Sequence, residues 1–319
     1  MSADLKPFLG QAMIVTGAGG GLGKAYALLL ASLGAAVVVN DLGTSSAGSG
    51  ADPAPARQVV EQIQHEGGIA IAVTDSVTTP AGGRAIVEAA LDNFGRLDGL
   101  INNAGSLRSA SLEDTTDENL DAMIDVHLKG AFHLTRPAFR AMKDRSYGRI
   151  LFTASSGGVF GSEGNAAYGA AKTGLLGLMN VAAIEGEPHG ILSNALMPAS
   201  VTRLAEQGVS SYLNRIQKAA VAMGAERAGA IDPAFVAPLA AYLVSPKCTS
   251  THAIYTSVMG RYARVFVGLG PGWFGPTAEP ASIEEVGAHF ADIRETAPFT
   301  IPEHLAEEFE GIARTLSNA

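Results

Sequence analysis

The chain has 319 residues, 47% of them hydrophobic and 17% charged, with a net charge of −9. So much apolar material excludes a disordered chain, and the acidic balance, with no basic run to offset it, argues against nucleic acid as a partner. The single cysteine, Cys248, cannot form an intramolecular disulfide.

Met1–Gly10 lacks the basic start and apolar core of a signal peptide. No run reaches ~18 uninterrupted apolar residues, so no membrane span is expected and the expected location is cytoplasmic. Ala12–Thr16 is a β-branched apolar run and reads as a buried strand. Leu22–Leu33 carries Leu, Ala and Tyr at helical spacing and stops at Gly34. Ala36–Asn40 is a second buried strand, followed by a loop rich in Gly, Ser and Pro from Gly43 to Pro55. Arg57–Glu66 is an amphipathic helix and Ile69–Val73 a third strand. The alternation continues with helix Ala81–Phe94, strand Leu97–Asn102, helix Glu118–Lys143 and strand Arg149–Thr153. Helix Asn165–Glu187 and strand Ile191–Leu196 follow, and a strand around Ala253–Val258 completes the expected sheet. Strict βα alternation with apolar strands predicts the α/β class, a doubly wound parallel sheet of Rossmann type with helices on both faces.

Two segments break the rhythm. Residues 199–227, with Tyr212, Leu213 and Ile216 at helical spacing, read as a lid over the active site. Residues 260–319 read as an extension packed on the main domain of 1–259. It holds an extra strand at Ala263–Gly268, a turn at Gly270-Pro271-Gly272 and two short helices.

Thr16-Gly17-Ala18-Gly19-Gly20-Gly21-Leu22-Gly23 joins the first strand to the first helix, where glycines let the backbone turn tightly against a pyrophosphate. A P-loop does not fit, because position 18 is Ala and position 25 offers no hydroxyl. The strict G-x-G-x-x-G also fails, because position 22 is Leu. The spacing is T-G-x-x-x-G-x-G. Asp41 ends the second strand, eighteen residues after Gly23. A carboxylate there accepts hydrogen bonds from ribose hydroxyls and repels a 2′-phosphate. No Arg or Lys stands between Gly34 and Ala56 to favour NADP, so NAD is the expected cofactor.

Tyr168 and Lys172 lie one helical turn apart, and Ser155 ends the preceding strand thirteen residues before Tyr168. Tyrosine is a poor base at neutral pH, with an ordinary pKa near 10. A nearby ammonium and a cationic ring lower that value, and a serine hydroxyl can position a substrate oxygen.

These motifs, in this order, resemble the short-chain dehydrogenase/reductase family over residues 8–258. The resemblance implies catalytic Ser155, Tyr168 and Lys172, with a cofactor held by Gly17, Gly21, Leu22, Gly23 and Asp41. It implies further cofactor contacts from Asp75-Ser76-Val77 on the adenine side, from Asn103-Ala104-Gly105 of the N-N-A-G element on the nicotinamide side, and from Pro198. No metal is implied. One departure is His127, in Val126-His127-Leu128-Lys129-Gly130, where the family often has an Asn that completes a tetrad. A neutral imidazole has one donor and one acceptor and could hold the same relay water, or cap buried backbone groups instead.

Within the family, Ala25-Tyr26-Ala27, Val39–Gly43, Asp75–Val77, Val126–Gly130, Ala182–Gly186 and Gly270–Gly275 are similar to the dehydrogenase domains of peroxisomal multifunctional enzymes. That likeness implies oxidation of (3R)-3-hydroxyacyl-CoA to 3-oxoacyl-CoA, with a hydroxysteroid as the alternative small-molecule substrate. Unlike peroxisomal proteins with a terminal S-K-L, this sequence ends in Ser-Asn-Ala. Val159, Phe160 and Leu107 are expected to line an apolar pocket, with Arg203, Arg215 and Lys218 of the lid near CoA phosphates or simply solvated. Helix Asn165–Glu187 is apolar almost all round, which predicts a homodimer or homotetramer built on it.

Overall fold

A computed structural model describes residues 6–200, 218–219, 221–224 and 229–317. The chain divides into two compact units, Met1–Arg264 and Val265–Ala319. The first is built on a sheet whose strands are β1 (Ala12–Thr16), β2 (Ala36–Asn40), β3 (Ile69–Val73), β4 (Gly99–Asn102), β5 (Gly148–Thr153), β6 (Ile191–Ala199), β7 (Ala253–Val258) and β8 (Arg261–Val265). Their order is β3-β2-β1-β4-β5-β6-β7-β8.

From β3 to β7 every pairing is parallel. The central strands β1 and β4 are buried at every residue, which is why they read as unbroken apolar runs. β8 starts two residues and ends three residues before the strand expected at Ala263–Gly268, and the reason is local. Met259 and Gly260 both take positive φ (50° and 74°). This is the geometry of a two-residue hairpin turn, so β8 folds straight back along β7 and adds an eighth strand.

The helices are α1 (Gly21–Ser32), α2 (Ala54–His65), α3 (Pro80–Phe94), α4 (Asp117–Met123), α5 (Gly130–Lys143), α6 (Ser156–Val159), α7 (Ala166–Gly186) and α8 (Ala237–Leu243). α1 packs on α2 and α8, while α5 packs on α3 and α7, so the two sets cover opposite faces of the sheet. Tyr26, Leu30, Val37, Val39, Ile63 and Val244 belong to the core on the α1 side. At about 25 cal/mol per Å² of apolar area, such contiguous burial is the main favourable contribution to folding.

The helix expected at Glu118–Lys143 is continuous in direction but not in winding. Ile124–Lys129 forms a π-helical turn between α4 and α5. Lid residues 201–217, 220 and 225–227, Arg203 and Arg215 among them, lie outside the described residues. Lys218 is exposed. The second unit carries α9 (Ile283–Ala288), α10 (Phe290–Ile293) and α11 (Leu305–Ser317). Ser282 and Glu285 form a reciprocal capping box at the start of α9. Trp273 stacks on His289 at 4.4 Å.

Candidate active site

β1 ends at Thr16, whose hydroxyl accepts hydrogen bonds from the backbone N–H groups of Asn103 and Ala104, both at 3.0 Å. The Asn103 side-chain amide donates back to Thr16 O at 2.9 Å. One hydroxyl therefore ties the glycine segment to the N-N-A-G segment after β4. Gly17 has φ 64°, a left-handed conformation that a side chain would strain. A Cβ on Gly23 would collide with the carbonyl oxygen of Gly17.

These segments open onto a cavity of about 380 Å³. Gly17, Gly20, Gly21 and Leu22 line it at the start of α1, where the first backbone N–H groups have no helical acceptor and suit a phosphate. Asp41, Asp75, Ser76 and Val77 line it beyond β2 and β3, and Asn103, Ala104 and Gly105 beyond β4. The Asn40 side chain, buried, donates to Val73 O and Asp75 O and so fixes the Asp75 loop. Asp41 accepts from Gly19 N–H (2.8 Å) through one carboxylate oxygen and from Gly43 N–H (2.7 Å) through the other. Its carboxylate therefore clamps the glycine loop as well as facing the cavity. A row of free donors between carboxylates fits a dinucleotide with its pyrophosphate at the helix start and a ribose at Asp41.

Of the cofactor residues expected from the sequence, Gly23, Pro198 and the two catalytic residues also expected to touch the cofactor, Tyr168 and Lys172, do not line this cavity. Gly23 is buried against Gly17, and Pro198 sits in β6 opposite Ser257 of β7. A strand proline is tolerated there because β5 pairs with β6 only as far as Leu196.

Ser155 caps α6, its hydroxyl accepting from Gly157 N–H at 3.1 Å. Tyr168 and Lys172 rise from the first turns of α7. Lys172 is buried and its Nζ donates to Thr153 O at 2.6 Å, 5.8 Å from the centre of the Tyr168 ring. Burial pushes Lys172 down to about 7. Burial pushes Tyr168 above its ordinary 10, with a hydrogen bond to Ser155 pulling the other way. The lowering of Tyr168 expected from Lys172 is thus not supplied by the protein alone. An ammonium that is itself half-discharged near neutrality gives little field, and desolvation of the phenolate dominates.

His127 lies in the π-helical turn and is buried. Its Nε2 bonds Ser106 O at 2.8 Å; because a carbonyl only accepts, this nitrogen carries the proton. Burial and the neighbouring Lys172 hold the imidazole well below its ordinary 6.5, so it is neutral. Nδ1 is left as a buried acceptor without a hydrogen-bond partner among the described residues. His127 and Lys172 line one small cavity of about 10 Å³, the size of a single water. The π turn serves two sites at once: Asp125 and Val126 face the large cavity, while His127 faces the small one.

Sequence reasoning missed Arg108, Thr44–Ser46, Gly48 and Asp125, all of which line the large cavity. They sit on irregular segments or at the re-aimed turn, where no periodic pattern marks a lining residue.

The short chain dehydrogenase family matches residues 11–211. A short-chain type dehydrogenase/reductase of Mycobacterium tuberculosis is 40% identical over 287 residues, covering 89% of this chain and 93% of that protein. Peroxisomal multifunctional enzyme type 2 of Mus musculus is 40% identical over 275 residues, covering 86% of this chain. This chain spans only 33% of the length of the mouse enzyme. The full-length structure of the Drosophila melanogaster type 2 enzyme superposes with a TM-score of 0.77 at 32% identity, over 98% of this chain and 50% of that one. With the glycine cradle, the N-N-A-G segment and the Ser155, Tyr168 and Lys172 group assembled at one end of a parallel sheet, the chain belongs to the short-chain dehydrogenase family and is an oxidoreductase.

Proposed function

We propose that the chain is an NAD-dependent dehydrogenase that oxidises a (3R)-3-hydroxyacyl-CoA to the 3-oxoacyl-CoA. The observation that carries the reaction type is the gathering of Ser155, just past the end of β5, and Tyr168, at the start of α7, beside buried Lys172, whose Nζ lies 5.8 Å from the centre of the Tyr168 ring. Asp41, facing the cavity beside a strap without Lys or Arg, supports NAD over NADP. The acyl-CoA class rests on likeness to the multifunctional enzymes, one of which is 40% identical over 86% of this chain. Phe160, 68% exposed at the end of the short helix that Ser155 caps, offers apolar surface for an acyl chain.

The bound nicotinamide supplies the hydride acceptor. Ser155, whose oxygen accepts from Gly157 N–H, would turn its hydroxyl proton toward the substrate oxygen. Tyr168 then accepts the substrate hydroxyl proton as the carbinol carbon loses hydride, a step governed by orientation. Lys172, its Nζ fixed on Thr153 O beside the ring, would add to the stabilisation of the phenolate that a bound cationic nicotinamide would supply. His127, neutral, offers Nδ1 to a water between itself and Lys172.

The test is NADH formation from NAD with a panel of (3R)- and (3S)-3-hydroxyacyl-CoAs beside free hydroxysteroids. Turnover restricted to the (3R)-acyl-CoAs supports the proposal. Turnover of steroids alone overturns the substrate, and turnover only with NADP overturns the cofactor.

A further inference from the structure

Among the described residues that line the large cavity, Arg108 is the one basic side chain, against Asp41, Asp75 and Asp125. Asp125 already pairs with Lys129 at 2.7 Å. Arg108 donates through Nε to Ala47 O at 3.0 Å. Its two terminal nitrogens have no acceptor, and the guanidinium no ion pair, among the described residues. A cation held by its inner nitrogen, with its outer fork free beside a cavity, is arranged for an anion that is not part of the protein.

The sheet order says where that anion would sit. β1 lies between β2 and β4. After β2 the segment 43–51 runs across to the segment that follows β4. Leu107 N–H donates to Ser46 O at 2.9 Å there, beside the Arg108 bond to Ala47. The segment returns at Asp52, whose N–H donates to Leu42 O at 3.0 Å. Neighbouring strands are about 4.8 Å apart, so a strap joining the ends of β2 and β4 has to pass over the end of β1. The glycine cradle begins at that point, and the strap roofs it.

We propose that Arg108 binds the pyrophosphate of the dinucleotide from the strap side, opposite the glycine cradle, and so fastens the 43–51 strap over the bound cofactor. This rests on the reading of the cavity as a nicotinamide dinucleotide site. Three carboxylates face the cavity, and among the described residues backbone N–H dipoles are the other positive groups at its glycine end. A doubly negative pyrophosphate therefore gains more from Arg108 than from any other described side chain around it.

The test is calorimetric titration of the full chain with NADH, NADPH, ADP, adenosine and coenzyme A, comparing the unmodified protein with Arg108→Met and Arg108→Lys. Arg108→Met is expected to weaken NADH and ADP alike by roughly 10- to 100-fold, the range for a charge-assisted hydrogen bond, and to leave adenosine unchanged. Arg108→Lys should recover part of the loss. Amide exchange in residues 43–51 should slow on NADH addition in the unmodified protein and much less in Arg108→Met.

Unchanged NADH affinity in Arg108→Met overturns the inference alone, while the dinucleotide reading stands. Equal loss for adenosine shows collapse of the site and also overturns it. A loss confined to NADPH moves the guanidinium to a 2′-phosphate, and a loss confined to coenzyme A moves it to the substrate; either overturns it. Absence of NADH binding in the unmodified protein overturns both readings.

Discussion

His127 meets Tyr168 edge-on, with ring centroids 5.2 Å apart and ring planes at 89°. A buried imidazole thus braces the phenol on one side while Ser155 bonds it on the other. The brace is neutral, because burial and Lys172 keep His127 discharged, and its buried Nδ1 has no hydrogen-bond partner among the described residues.

His127→Asn retains a side-chain donor for Ser106 O, and is expected to keep kcat within about tenfold of the unmodified enzyme, whereas His127→Leu, which supplies neither donor nor acceptor, should lose more than about tenfold. Dinucleotide affinity should change little in either. Because the folded-state pKa of His127 is depressed, the unfolded chain binds more protons below about 6.5. Stability therefore falls on this group's account as pH drops below that value. His127→Asn should flatten that part of a plot of Tm against pH; an unchanged slope would show that His127 is already protonated in the folded state.

Lys172 has its folded-state pKa at about 7 against an ordinary value of 10.5. Between those values the unfolded chain holds a proton that the cofactor-free folded chain has released, so Lys172 makes stability rise with pH across that window. Below pH 7 both forms are protonated and its full cost is present. Lys172→Met should remove this rise in denaturant titrations at pH 7, 8.5 and 10. It should also lower kcat and weaken NAD binding together.

Tyr168→Phe removes the proton acceptor but keeps the ring against His127. Turnover should fall by about 10²- to 10⁴-fold, the usual contribution of a positioned acid or base. NADH affinity measured by fluorescence should stay within about twofold, since it does not depend on the proton-transfer step. Retention of a tenth or more of the activity would remove Tyr168 from the chemistry.

Asp41 carries two duties, so its loss should show twice. Asp41→Ala leaves Gly19 N–H and Gly43 N–H without their acceptor, at a cost of about 1–3 kcal/mol if no water replaces it. It should also raise the Kd for NAD and narrow the preference over NADP. A variant that loses stability with unchanged preference would make Asp41 a purely structural clamp.

Val181 and Ile184 on α7 are 52% and 46% exposed. Two half-bare β-branched side chains on a helix that is otherwise apolar are expected to lie in a contact between copies of the chain. Light scattering should give a dimer or larger, and Val181→Asp with Ile184→Glu should shift it toward the monomer.

The alternation of apolar strands with helices was open to reading from β1 to β7 because the inner strands β1, β4 and β5 are buried at every residue and helices such as α2 and α5 present an apolar stripe to the sheet. Thr16–Gly23, Asp41, Asn102–Gly105, Ser155, Tyr168 and Lys172 were legible for a related reason. Each stands at a strand end or a helix start, where chemistry and spacing coincide within a few residues. His127 was found as a departure from a pattern, but its charge state was not. That depended on the burial of Lys172 and on Ser106 O, groups 45 and 21 residues away in sequence.

Local sequence therefore determined the class of fold, the order of its strands along the chain and the reacting groups, since these follow from side-chain periodicity and from turns of fixed length. Tertiary structure alone decided the π-helical turn that divides His127 from Asp125, the upward rather than downward pull on Tyr168, and the meeting of Arg108 with the 43–51 strap. Each of these depends on what surrounds a group in space. Desolvation and long-range hydrogen bonds have no period along the chain for a sequence to display.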